Sequence, residues 1–370
     1  MSQKRIAIAC QGGGSQCAFV AGALKALFAR RVQDRYPIVG LSGTSGGAFT
    51  AALAWSGLLQ QANGDLTPIE ERIIGCWKDL TAQTPIEIAF DASALQVSRL
   101  VERGFLPNFA TSPSSPPFQF WARMISQFIA RPEFTDLRAL LTKHLDFERL
   151  ASLSLPDSPT LLVGAVDVLE GSFKIFSSRR REITLEALLA SAAIPNLFPA
   201  VRIEGHAYWD GIFSSNPPIS AFLRQAHVGR GKFPDEIWII QVNPPRHDSV
   251  PDLPDDIFDL RNHLAGNLSL QHELQTVEMV NLLLEENALT DHFRARFGFD
   301  VTKAIKVRFI RMSRELQNDL DYASKLSRQP THIASLIADG EAQATEFLRG
   351  LEKADSLPDS SLSAIAQEIH

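Results

Sequence analysis

The segment Gly43-Thr44-Ser45-Gly46-Gly47 sets a serine between glycines two residues away on either side. This is the G-x-S-x-G pattern of a hydroxyl nucleophile that attacks acyl carbonyls. The chemistry explains the spacing. A sharp turn from strand into helix forces strained dihedrals on the serine, and the glycines at Gly43 and Gly47 let the chain pass without a Cβ clash. The hydroxyl is then presented at a helix N-terminus, where first-turn amides and the helix dipole favour negative charge on a nearby oxygen. Glycine-serine turns also open ordinary helices, so the pattern gains meaning only with a strand before it and a helix after it.

A second glycine cluster, Gly12-Gly13-Gly14, follows Gln11. It lacks the Gly-Lys-Ser/Thr close of a nucleotide-binding P-loop. It begins like a dinucleotide fingerprint, but Cys17 stands at the third glycine position and no ribose-binding acid ends the next strand. A third reading joins the two glycine segments. Adjacent parallel strands bring their C-terminal ends side by side, so the amides of Gly12, Gly13 and Gly14 are expected to face Ser45 as an oxyanion hole.

The elements that must position these residues can be read from periodicity. Residues 5–10 read as a buried strand, 18–31 as a helix with Phe19, Leu24, Leu27 and Phe28 inward, 38–41 as a second strand and 48–59 as a second helix. That alternation predicts parallel strands joined by helical crossovers, an α/β fold. From about residue 67 to 150 the pattern is mostly helical and reads as an insertion, broken by a Pro/Ser-rich loop over 107–117. Trp121, Met124, Ile125, Phe128 and Ile129 share one helical face there. They read as core packing or, alternatively, as a lid or acyl-channel lining, with Arg123 and Arg131 at its flanks. Further strands are expected over 160–166, 172–176, 201–203, 207–209, 236–242 and 305–310, and helices over 268–297 and 331–353. Residues 1–355 read as one domain with the insertion inside it, and 356–370 as a loosely ordered tail.

Composition narrows the class. Hydrophobic residues at 45% and charged residues at 21% suit a globular chain with a large core. A net charge of -6 argues against nucleic acid as a partner. Cys10, Cys17 and Cys76 have no CxxC spacing and read as reduced thiols. The start MSQKRIAIAC lacks the apolar stretch of a secretory leader, and no run approaches the roughly 20 apolar residues of a membrane span. A cytoplasmic protein with at most transient membrane-surface contact is expected. The run Arg179-Arg180-Arg181 reads as a solvated hairpin end, with a phosphate clamp as the alternative.

Taken together, three ordered segments resemble the patatin-like phospholipase family. They are GGGSQCAFVAGAL, GLSGTSGGAFTAAL, and SAAIPNLFPAV followed by YWDGIFSSNPP. The resemblance spans at least residues 5–220. It implies a three-layer α/β/α sandwich with a mainly parallel sheet, lipid acyl ester hydrolysis, and a Ser–Asp dyad without histidine. Ser45 and Asp210 match that dyad, and Gly12, Gly13 and Gly14 match its oxyanion loop. No metal or organic cofactor is called for. Three positions depart from the family's pattern: Gln16 and Cys17 stand where Arg or Lys and then Gly are common, and Ile212 follows Asp210-Gly211. The change at Gln16 removes a cation near the site.

An aspartate is a poor base for a hydroxyl unless its surroundings raise its basicity, and Tyr208, Trp209, Ile212 and Phe213 supply an apolar setting. A Ser-His-Asp triad stays open, since His206, His227, His247, His263, His272 and His292 are present without a local motif. Three other functions stay open as well. They are an esterase or thioesterase on soluble acyl substrates, a polyester depolymerase, and a non-catalytic lipid-binding or scaffold protein.

Overall fold

The computed structural model describes residues 3–105, 116, 120, 131–195, 197–229, 231–246, 250–252, 254–298, 301–321 and 323–356. The expected aromatic stripe from Trp121 to Ile129, with Arg123, lies outside the described residues. So do His247, nearly all of the Pro/Ser-rich loop, and the tail from 357.

In chain order, the first half-unit is β1 (Ile6–Cys10), α1 (Ala18–Ala29), β2 (Ile38–Thr44) and α2 (Gly46–Ala62). The helices α3 (Ile69–Leu80), α4 (Pro85–Glu102), α5 (Leu137–His144) and α6 (Phe147–Leu153) then precede β3 (Thr160–Asp167) and β4 (Ser172–Ser177). A short α7 (Leu185–Ser191) leads to β5 (Val201–Ile203), β6 (His206–Asp210) and β7 (Glu236–Gln241). The chain closes with α8 (Pro254–Glu285), α9 (Asp291–Phe297), β8 (Lys306–Arg311) and α10 (Pro330–Ser356).

The strands form one eight-stranded sheet of order β5-β6-β3-β2-β1-β7-β8, with β4 paired to β3. The pairs joining β3, β2, β1, β7 and β8 are parallel, and β4, β5 and β6 add antiparallel pairs. Alternation along β1 sorts the core into two faces. Ile6, Ile8 and Cys10 pack with α1, α2, α3 and α10, whereas Ala7 and Ala9 pack with residues 219–228 and the apolar positions of α8. The result is a helix layer on either side of a mixed, mostly parallel sheet.

Among the inserted helices, Ile69, Ile73, Cys76 and Trp77 of α3 and Leu140 and Leu141 of α5 belong to the same cluster as β1. Arg131, at the flank of that aromatic stripe, is tied into the fold. Its Nε and Nη2 bind the two carboxylate oxygens of Glu87 at 2.7 and 2.8 Å. Burial would raise that carboxyl, but Arg131 and the Gln83 and Thr84 amides hold it below the usual range. The expected helix over 268–297 is two helices, α8 starting at Pro254 and α9 at Asp291. Asn287 at φ 53 ends the first, and the Thr290 side chain caps the second by accepting from the Phe293 amide.

Candidate active site

Because β1 and β2 are parallel and Cys10 faces Gly43, the glycine loop after β1 and the serine after β2 emerge together. Ser45 sits at φ 56 and ψ -130, a left-handed conformation that costs a residue with a Cβ about 1–3 kcal/mol. It is the residue before a 17-residue helix, α2, whose first turn points amides at it. The turn survives because its neighbours are small. A Cβ at Gly43 would lie 2.5 Å from the Gly47 carbonyl, and one at Gly47 would lie 2.6 Å from that of Gln11.

Two hydrogen bonds fix the elbow from the sheet side. The Ser45 amide donates to Ser191 Oγ at 3.0 Å, and that hydroxyl donates to the Gly164 carbonyl at 2.6 Å. Ser191 ends α7, a helix too short to leave a clear periodic signal in the sequence.

Asp210 arrives through strand register. Along β3, Thr44 of β2 faces Gly164 while Asp210 of β6 faces Ala165. β4 occupies the other edge of β3 over the same stretch. The ends of β2 and β6 therefore abut on one edge of β3, from opposite directions. The Asp210 carboxyl is buried; Oδ1 accepts from the Ile212 amide at 2.9 Å, while Oδ2 has no partner of hydrogen-bond geometry. Burial pushes the group up to about 7, opposed by the Ser45 hydroxyl and the Ile212 amide. A carboxylate at that level can take a proton near neutral pH.

The glycine loop departs from its expected role at one position. The Gly12 amide donates to Asn216 Oδ1 at 2.6 Å, so Gly12 is not an available oxyanion donor. Gly13 and Gly14 do line the cavity at Ser45. Gln16 and Cys17 are buried and structural: Gln16 Nε2 donates to Ser324 Oγ at 2.8 Å, and Cys17 Sγ donates to the Gln11 carbonyl at 3.4 Å. Burial pushes the Cys17 thiol far up, against the pull of the Gly13 and Gly47 amides. All three cysteines are buried and unbridged.

The cavity has two lobes that share Gly14, Ser45, Ile194, Lys325 and Leu326. One, about 260 Å³, also holds Asp210, Ile212, Phe213, Arg261 and Asn262. The other, about 160 Å³, is walled by Phe49, Leu80, Leu137, Ala192 and Phe198. Among the described residues, no histidine lines either lobe. His206 pairs with Asp167 at 2.6 Å, four residues before Asp210 at the other end of β6. His272 packs on Phe173, and burial brings His227 down to about 4.

The arginine run also lies outside the site. Arg179 binds Thr160 Oγ1 and the carbonyls of Pro156 and Ser158, while Arg180 binds Glu182 and the Ile175 carbonyl. Ser191, Asn216 and Lys325 are the residues that sequence reasoning missed. Only Asn216, two prolines behind it in the SSNPP segment, carries a visible local signal.

No helix among the described residues is long and apolar enough to cross a membrane. No curated protein matches the chain in sequence. Among solved structures, VipD from Legionella pneumophila is similar at 15% identity and TM-score 0.41, over 94% of this chain and 67% of that one. That likeness is too distant to carry an argument. The family model described as patatin-like phospholipase matches residues 8–223, which is more than half of the chain and includes the glycine loop, the serine elbow and Asp210. The chain therefore belongs to the patatin-like phospholipase family, and with it to the lipid acyl hydrolases in general.

Proposed function

We propose that the protein cleaves lipid acyl esters through an acyl-enzyme on Ser45, with Asp210 as the base. The observation that carries this reading is the abutment of β2 and β6. It brings the end of the strand that leads into a strained, helix-capping serine against the end of the strand that carries a buried carboxylate, whose Oδ2 has no partner of hydrogen-bond geometry.

In the first step Ser45 Oγ attacks the ester carbonyl carbon as Asp210 accepts the hydroxyl proton. The amides of Gly14 and Gly13, together with the first turn of α2, hold the negative oxygen of the tetrahedral intermediate. Collapse breaks the bond to the alcohol, which leaves with the proton from Asp210. Water then gives its proton to Asp210 and attacks the acyl-enzyme, and collapse releases the fatty acid and returns the proton to Ser45. The apolar lobe at Phe49, Leu80, Leu137 and Phe198 receives the start of the acyl chain.

A fluorophosphonate probe tests the nucleophile. Peptide mass spectrometry is expected to place the adduct on Ser45, and Ser45→Ala to remain unlabelled. Labelling at another serine, or none in the folded protein, would refute this assignment.

A further inference from the structure

Helix α8 is apolar on two faces, and the fold covers one of them. Inward, Leu270, Val277, Val280 and Leu284 join the core cluster of Ala7 and Ala9. Glu273 on the same side accepts from the Ile219 and Ser220 amides at 3.0 and 2.6 Å. That face alone anchors the helix. Outward, Ile257, Arg261, Leu264 and Leu268 fall at i, i+4, i+7 and i+11, one stripe of a helix with about 3.6 residues per turn. Leu264 is 45% exposed and Leu268 63%, and Met279 and Leu282, exposed as well, extend the stripe along the helix. Single exposed leucines are ordinary, but apolar side chains aligned in water mark an interaction surface.

The stripe runs into the mouth of the catalytic cavity. Arg261, inside it, lines the larger lobe together with Phe213, which is 57% exposed. Phe213 belongs to the turn Gly211–Phe213, directly after Asp210, and that turn packs on α8. Phe198, exposed at 45%, stands on the wall of the smaller lobe.

This continuity decides what covers the stripe. A second copy of the chain seated there would lie across the entrance to Ser45, whereas a lipid surface would deliver substrate through it. The charges agree. No carboxylate falls at the stripe positions, so laying them on an apolar surface strips no anion of its water. Elsewhere α8 has six carboxylates, and Arg261 is its one Lys or Arg, so it offers no basic patch to anionic lipid. We propose that Ile257, Leu264 and Leu268 of α8, with Phe213 and Phe198 at the mouth, are the face by which the protein docks on a zwitterionic lipid surface. Apolar burial holds it there, with the helix lying in the plane of the interface.

The proposal takes its occupant from the lipid acyl hydrolase reading, and the test separates the two. Ser45→Ala, which on that reading cannot turn lipid over, is floated with phosphatidylcholine vesicles, alone and with Leu264→Gln and Leu268→Gln added. Ser45→Ala is expected to float with the vesicles. The added pair should lower its partition coefficient about tenfold or more, the size of two half-exposed leucines no longer buried. Raising salt from about 0.1 M to about 1 M, which shortens the screening length from about 10 Å to about 3 Å, should leave the partitioning in place. In the active protein the same pair should lower the rate on phosphatidylcholine vesicles, relative to the rate on soluble p-nitrophenyl butyrate, by a similar factor. That ratio does not depend on the fraction of enzyme that is folded. Ser45→Ala left unbound, equal binding with and without the pair, or release by salt overturns the docking face. So does a dimer in solution that the pair dissociates, which gives the stripe to a second copy. A protein that floats through the stripe yet cleaves neither ester refutes the hydrolase reading and keeps the docking face.

Discussion

Asn216 grips Gly12 through both of its backbone groups: Oδ1 accepts from the Gly12 amide at 2.6 Å, and Nδ2 donates to the Gly12 carbonyl at 3.5 Å. Asn216 follows Asp210 by six residues, so this contact couples the glycine loop to the segment carrying the carboxylate. Its own amide donates to Ser269 Oγ of α8 at 2.8 Å, which fixes the clamp to the opposite helix layer. Asn216→Ala is expected to lower kcat by about tenfold to a hundredfold, as a displaced loop does, with a smaller change in KM. Steady-state kinetics on a p-nitrophenyl ester checks the split. A change confined to KM would show that the clamp does not position the reacting groups.

The elevated carboxyl of Asp210 sets a pH profile. With its value near 7, the ionised base is scarce below pH 6, so kcat/KM should rise through an apparent pKa close to 7 and then level off. If the rise belongs to a histidine elsewhere, single His→Ala variants will abolish or shift it. On the present account, His206→Ala, His227→Ala and His263→Ala each keep it.

The same burial has a cost in stability, with a definite sign. Asp210 is held above its unfolded value of about 3.9, so the folded protein keeps a proton that the unfolded chain releases. Below pH 4 both states are protonated and nothing is lost. Stability contributed by the protonated group falls as pH rises from 4 towards 7 and stays reduced above it. Asp210→Asn removes the titration, so it should melt above the wild type at pH 8.5 and approach it at pH 4. Equal melting shifts at both pH values would contradict this.

Ser191 offers a test of the elbow itself. Ser191→Ala leaves the buried Ser45 amide without its acceptor, a loss of about 1–3 kcal/mol by the usual cost of an unsatisfied buried donor. The urea midpoint should fall accordingly. An unchanged midpoint would mean that the elbow is held by the glycine packing alone.

Much of this arrangement is legible in the sequence where the signal is local. β1 and β2 are short buried runs closed by glycines, and the Ser45 elbow follows from that context. The mixed sheet flanked by helices agrees with the expected α/β fold. The start of α8 is less legible. Gly266 and Asn267 look like a helix break, yet Gly266 lies where a Cβ would come 3.1 Å from the Asn216 amide. Ile257, Leu264 and Leu268 face outward on the same helix, which blurs its periodicity.

Which residue pairs with which at the site is not legible. Gly12 with Asn216, Ser45 with Ser191, and the loop at Gly14 with Lys325 are separated by well over a hundred residues in the chain. Such pairs are fixed by strand order and register, which periodicity does not encode. The expectation that all three glycines present their amides failed at Gly12 for this reason.

The most direct test of the central claim is hydrolysis of a graded series of p-nitrophenyl acyl esters by the wild type, Ser45→Ala and Asp210→Asn. The account predicts an active wild type and two folded variants, each reduced by about a thousandfold or more, the size of a missing catalytic group. Asp210→Asn retaining near wild-type turnover would contradict it, because the proton of Ser45 would then be leaving by another route.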